Sequence, residues 1–240
     1  MARRAGTTAR NPTPAARRSG REPTGGRYDA QLDRILRCAA QVFADKGYHR
    51  ASIRDIAQRV GMSLAGLYYY FRSKEELLFL IQDHAFGDIL AALERALRGV
   101  TDPRQRLHLI VLNHIRYFIR NMAYQKVCAF EQEALGGEYY ATVERKRRRY
   151  FELVRSVLQE LAGERRFLIN LGAITLFLFG AMSWIHMCYN PRKDGQAEDM
   201  ARTLTDLFLL GFLALGASDQ GLDALAVRGR PVCLPPGVGA

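Results

Sequence analysis

From Gln31 to Lys46 the apolar residues Leu32, Ile35, Leu36, Ala39, Val42 and Phe43 recur three and four positions apart, the spacing of one face of an α-helix. Gly47 follows where such a helix stops. The same pattern repeats down the chain. Ser52 stands as an N-cap with Asp55 three residues on, the spacing of a capping box, and the short helix it opens ends at Gly61. Ser63 caps a third helix, from about Leu64 to Tyr70. Ser73 caps a fourth, with Glu76 in the reciprocal position, that runs from Lys74 to about Arg98. Asp102-Pro103 opens a fifth, with proline at its favoured first position, and Leu107, Ile110, Val111, His114, Ile115 and Phe118 make its stripe. Gly136-Gly137 interrupts the next segment; helices then follow over about Glu138 to Leu161 and Ala197 to Leu215. No run alternates apolar and polar residues with β-branched side chains, so the pattern predicts an all-α fold.

One stretch tests that picture. From Phe167 to Tyr189 there is no charge, which is long enough to span a bilayer. Asn170, Thr175, Ser183 and His186 interrupt it, Gly172 and Gly180 dilute it, and no second comparable segment exists. A helix apolar all round is equally the central helix of a bundle, and that is the expectation adopted, with no membrane partner.

The formal net charge is +11, and residues 1–27 hold seven arginines against one acid. Those residues have almost nothing apolar to bury and are expected to be a disordered basic tail, either an arm that adds DNA affinity or a solvated end. They contain no apolar signal core. Cys38, Cys128, Cys188 and Cys233 lie far apart and match no metal spacing, so reduced thiols in a cytoplasmic protein are expected. His84, His108, His114 and His186 are scattered, and no phosphate loop, Ser/His/Asp arrangement or carboxylate pair stands out. No catalytic residue, metal or cofactor is therefore expected.

The two short helices on either side of Gly61 fit a helix-turn-helix. Ala57 is small where the second of them crosses close, Gly61 takes the left-handed turn that glycine adopts cheaply, and Leu67 packs back between them beside Ile56, Val60 and Met62. The helix after the turn then lies in a major groove with its first residues at the base edges. Tyr68, Tyr69 and Tyr70 cannot all enter one small core, because consecutive helical residues point about 100° apart. One packs inward; the others reach the sugar–phosphate walls, where a phenol donates to a phosphate oxygen, and Lys74 neutralises a second phosphate. Such contacts set register without reading sequence. The base edges fall to Ser63, Leu64, Ala65 and Gly66, of which Leu64 and Ala65 suit a thymine methyl. Specificity is accordingly expected from Arg54, from DNA shape or from the arm.

The runs AAQVFADKGY (39–48), SIRDIAQRVGMS (52–63) and LYYYFRSKEELL (67–78) resemble the N-terminal domain of the TetR family of transcriptional regulators. The resemblance implies a helix-turn-helix domain over 28–73 and a larger helical ligand-binding and dimerisation domain over 74–217, leaving a flexible tail over 218–240. It implies that residues matching Ser52, Arg54, Ser63, Tyr68, Tyr69, Tyr70 and Lys74 contact operator DNA. Many members carry a lysine where this chain has Leu64, which removes one contact. One reading head makes too few contacts for useful affinity, whereas two on half-sites a helical turn apart multiply it. A homodimer on a palindromic double-stranded operator follows, held by the helices over about 167–189 and 197–215 of each subunit.

The run FGAMSWIHMCYNPRKDG, with DLFLLGF after it, resembles the C-terminal domain of TetR-type repressors that sense acyl-coenzyme A thioesters in lipid or sterol-ring catabolism, in which a tryptophan matching Trp184 and an Asn/Arg-Pro matching Asn190-Pro191 recur. It implies a hydrophobic or acyl-coenzyme A effector. In ERKRRRY (144–150), Arg145, Arg148 and Arg149 share one side of a helix and could hold coenzyme phosphates; a solvated face is the plainer reading. Phe118, Met122, Phe130, Trp184 and Met187 are the apolar pocket candidates. The expected mechanism is a repressor whose effector tilts the lever helix 74–98 and changes the separation of the reading heads. A helical-bundle enzyme and a membrane-associated regulator are the rival classes.

Overall fold

Gly47 and Gly61 follow the first two helices where the side-chain pattern ends them, both in the left-handed region. The computed structural model describes residues 25–131, 133–163, 170–184, 187, 189–190 and 193–214. Within them the chain forms α1 (Gly25–Lys46), α2 (Ile53–Val60), α3 (Leu64–Leu67), α4 (Lys74–Ala96), α5 (Pro103–Arg120), α6 (Met122–Phe130), α7 (Gly137–Ala162), α8 (Leu171–Ser183) and α9 (Ala197–Ala214). No strand occurs among the described residues. Residues 1–24 of the basic tail, the 218–240 tail, His186 and Pro191 lie outside them. The tail expected through residue 27 is already helical from Gly25, six residues before the helix start expected at Gln31.

The capping box on α2 is complete. The Ser52 hydroxyl accepts the Asp55 N–H at 3.2 Å, and the Asp55 carboxylate accepts the Ser52 N–H at 2.8 Å. Gly61 closes the helix at φ 71°, ψ 40°, donating its N–H to Ala57 O at 2.9 Å. Ser73 caps α4, but Glu76 accepts from the N–H of Arg72, one residue ahead of the reciprocal position. At α5, Asp102 accepts the N–H groups of Arg104 and Gln105, both at 3.2 Å.

Two departures matter. The third helix ends at Leu67, so Tyr68 to Tyr70 form a turn, with Tyr70 N–H on Leu67 O at 2.9 Å. The uncharged segment is not one helix over 167–189. Asn170 caps α8, which ends at Ser183, and its 13 residues span about 20 Å against a hydrocarbon core of about 30 Å. Among the described residues no helix is long and apolar enough to cross a membrane.

The buried side chains form two clusters. The first joins α1 to α3 with the start of α4, and it also contains Tyr124, Val127 and Cys128 of α6 and Val143 of α7. The second joins the rest of α4 with α5, α7, α8 and α9. Phe86 and Tyr117 touch both. Ile56, Val60 and Leu67 are fully buried, and each contributes about 1.5–3 kcal/mol over an exposed position. That exceeds any single surface hydrogen bond in the turn, so packing rather than capping holds the two short helices together.

Candidate functional site

The outer end of the first cluster presents α3 and the turn behind it. Ser63, Leu64 and Ala65 are exposed at the helix start, and the Ser63 hydroxyl accepts the Gly66 N–H at 3.1 Å. A Cβ on Gly66 would stand 3.2 Å from that hydroxyl and 3.3 Å from the Met62 methyl, so a bare α-carbon fits best there. Tyr68 is 50% exposed and Tyr69 64%. Tyr70 turns inward, stacked on Tyr28 of α1 with ring centroids 5.0 Å apart, and Tyr69 meets the same ring edge-on at 6.0 Å. Phe71, buried, plugs the space beneath. Ser52 and Arg54 are exposed at the start of α2. Together they make a polar and aromatic rim around a short apolar prow.

Lys74 is placed differently from the expected phosphate partner. Its ammonium donates to Ala51 O at 2.9 Å and His49 O at 3.2 Å, and it sits 4.4 Å from the centroid of the Tyr48 ring. Two of its three N–H donors are thus committed inside the domain. The first turn of α4 is tied by this residue to the loop that leads into α2.

Behind the reading head lies a cavity of about 500 Å³, enclosed by α4, α5, α6, α7 and α8. Phe86, Phe118, Phe151 and Phe179 give it an aromatic wall, and Arg147, Arg148, Glu144 and Glu152 stand at its more exposed side. Its buried polar residues are His114, Gln125 and Tyr150. His114 Nδ1 lies 3.0 Å from the Tyr150 hydroxyl. Burial pushes the imidazole down to about 3, so the ring is neutral. Burial likewise holds the Cys128 thiol up at about 12, opposed by Arg147, and leaves it an inert thiol.

The cavity and the reading head share a wall. Gln125, Cys128 and Ala129 of α6 face the cavity, while Tyr124 and Val127, with Cys128, belong to the core beneath α1. Just past α6, Glu131 accepts the Tyr48 N–H at 2.9 Å, and Gln82 of α4 donates to Glu131 O at 3.1 Å.

Residues 35–81 match the family model "Bacterial regulatory proteins, tetR family", and residues 100–212 match "Tetracyclin repressor-like, C-terminal domain". The crystal structure of the TetR family transcriptional regulator PfmR from Thermus thermophilus is 32% identical, with a TM-score of 0.66 over 74% of this chain and 98% of PfmR. This chain belongs to the TetR family of transcriptional regulators. The HTH-type transcriptional activator FasR of Mycolicibacterium smegmatis is 36% identical over 104 residues, 40% of this chain and 48% of FasR. The chain thus spans about half the length of curated relatives such as FasR. AibR, solved in complex with isovaleryl coenzyme A and operator DNA, shares the fold at a TM-score of 0.65 and 23% identity, over 74% of this chain and 97% of AibR.

In this TetR-family regulator the expected pocket residues divide. Phe118 and Arg148 line the cavity. Met122 and Phe130 do not, because α6 turns Gln125 and Cys128 toward it and leaves Phe130 exposed at the helix end. Trp184 and Met187, beyond the last turn of α8, are exposed. The arginine trio is not one clamp. Helix α7 buries Val143, Tyr150, Val154 and Val157, which leaves Arg145 to bond Thr142 at 2.9 Å and Arg149 to pair with Glu94 of α4. The residues missed from sequence are Tyr28, which anchors the tyrosine turn, and His114 and Gln125. The available signal for His114 was a polar side chain inside the apolar stripe of α5, at a position that faces other helices.

Proposed function

We propose that this regulator is a repressor that binds a palindromic operator as a homodimer and leaves it when an apolar, acyl-coenzyme A-type effector fills the cavity between α4 and α8. The observation that carries the proposal is the double role of α6. One helix lines the cavity and packs beneath the reading head, so an effector that displaces Gln125 and Cys128 displaces the support of α1 and of Tyr48 as well. The aromatic wall suits an apolar chain, and a cavity of about 500 Å³ falls in the size class of small-molecule sites. Arg148 stands at its exposed side in no ion pair among the described residues, where it offers a cation to a thioester's phosphates.

In each subunit the DNA contacts are assigned to Ser52, Arg54, Ser63, Leu64, Ala65, Gly66, Tyr68 and Tyr69, with Tyr70 and Lys74 as their supports. The dimer is assigned to α8 and α9, whose outer sides expose Leu176, Phe177, Leu207 and Leu210. AibR contributes the fold alone, and its bound thioester is a property of that protein.

The test is duplex binding by the purified chain with and without decanoyl-coenzyme A. The effector is expected to weaken operator affinity roughly 5- to 150-fold. Tight thioester binding with unchanged operator affinity would refute the coupling. The relation to FasR, an activator, favours one second reading in which the bound dimer raises transcription; a reporter behind the chain's own operator separates the two by sign.

A further inference from the structure

At the buried side of the cavity, among the described residues, two side-chain polar atoms have no hydrogen-bond partner. Gln125, 2% exposed, donates its amide nitrogen to Ser183 O at 2.7 Å. A carbonyl only accepts, so that bond fixes the amide orientation and leaves Oε1 pointing elsewhere, with no hydrogen-bond partner. His114, 3% exposed, has its Nδ1 against the Tyr150 hydroxyl and no partner at Nε2. Both residues line the same cavity, whose other buried residues are Phe118, Tyr150 and Cys128. Buried polar atoms are nearly always satisfied, so two orphans beside one empty space mark what the space is built to receive.

We infer that the effector carries a hydroxyl group on the apolar part that enters this cavity, and that Gln125 and His114 select for it. The inference rests on the cavity being the effector site. Gln125 Oε1 needs a donor. His114 is neutral, so its Nε2 either donates or accepts, according to which way the bond to Tyr150 runs. A hydroxyl serves both residues when Tyr150 donates to Nδ1 and Nε2 carries the proton: it donates its one hydrogen to Gln125 Oε1 and accepts from Nε2. A carbonyl cannot donate to Gln125, and an unsubstituted alkyl chain leaves both atoms orphaned. A cationic amine would need a counter-charge among these buried groups, but Glu144 and Glu152 lie at the more exposed side and Glu144 is paired with Arg147. A site that hydrogen-bonds a ligand hydroxyl rejects the analogue lacking it far better than an apolar pocket rejects a change in size.

The experiment is titration calorimetry of the full chain with decanoyl-, 3-hydroxydecanoyl- and 10-hydroxydecanoyl-coenzyme A. The two hydroxylated probes place the oxygen at either end of the chain. One of them is expected to bind about tenfold more tightly than decanoyl-coenzyme A, or about 1.4 kcal/mol. In Gln125→Leu that ratio is expected to fall to within about twofold. Equal affinities in the wild type, or a preference for the plain chain, overturn the inference while leaving the acyl-thioester effector intact. Binding by none of the three removes the acyl-thioester effector itself, and the hydroxyl preference with it. The wild-type ratio decides the matter even where the variant does not fold.

Discussion

Gly61 and Tyr69 show how differently two residues of one motif act. Gly61 sits in the left-handed region, and a Cβ there would meet nothing within 4 Å. The cost of Gly61→Ala is therefore backbone strain alone, about 1–2 kcal/mol, and chemical denaturation is expected to show it, with Gly61→Asn recovering part. Tyr69 keeps its ring against Tyr28 and its hydroxyl in the open. Tyr69→Phe is expected to leave the melting temperature unchanged and to weaken operator binding about tenfold, the worth of one hydrogen bond to a charged group. Asp55 gives a pH signature. Its carboxyl is held well below the usual range, chiefly by the Lys46 ammonium at 2.6 Å and then by Ser52. A depressed carboxylate stabilises the fold above its unfolded value of about 3.9 and loses that contribution as pH falls through the lower folded value. Below about pH 4 the wild type should lose stability more steeply than Asp55→Asn. Gly61 and Asp55 were legible in the sequence because a turn or a cap needs one residue type at one offset. Lys74 was not: nothing local says that its ammonium folds back onto the carbonyls of residues 49 and 51.

At the scale of elements, the helices with strong start signals were readable, and the boundaries set by tertiary packing were not. Ser52, Ser63, Ser73 and Asp102 each accept backbone N–H groups where the pattern places them. The break between α5 and α6 has no such mark. It falls at Asn121, whose side chain donates to Tyr117 O at 2.8 Å, and no glycine or proline stands near it. Because α6 was not separated, its two-sided packing could not be foreseen, and neither could the role of Glu131. Under the proposed function the effector acts through this element rather than through α4 alone. Glu131→Ala is expected to keep effector affinity and to hold operator affinity within about threefold. The effector-induced loss of DNA binding should shrink toward twofold, against the 5- to 150-fold typical of coupled sites. Parallel titrations of both ligands measure it, and full release by the variant would shift the coupling back to α4.

At the scale of the molecule, all-helical architecture was legible from periodicity, and family membership from three short runs. The cavity was not, because it is made by side chains from five helices whose mutual rotation no local pattern records. The outer sides of α8 and α9 expose Phe177 and Leu207 at a groove of about 320 Å³, and Leu210 is exposed on α9 as well. If these sides join two subunits, Leu207→Glu should sediment as a monomer and lose cooperative duplex binding while its helicity is kept. That variant would uncouple assembly from folding, since Leu207 is exposed in the single chain. The most direct measurement is selection from a random duplex pool by the purified full chain. Enrichment of an inverted repeat whose half-site centres lie about one helical turn apart, lost when Tyr68 and Tyr69 are both replaced by alanine, is the expected result. Recovery of no common sequence, or of a sequence without twofold symmetry, would contradict a paired reading head.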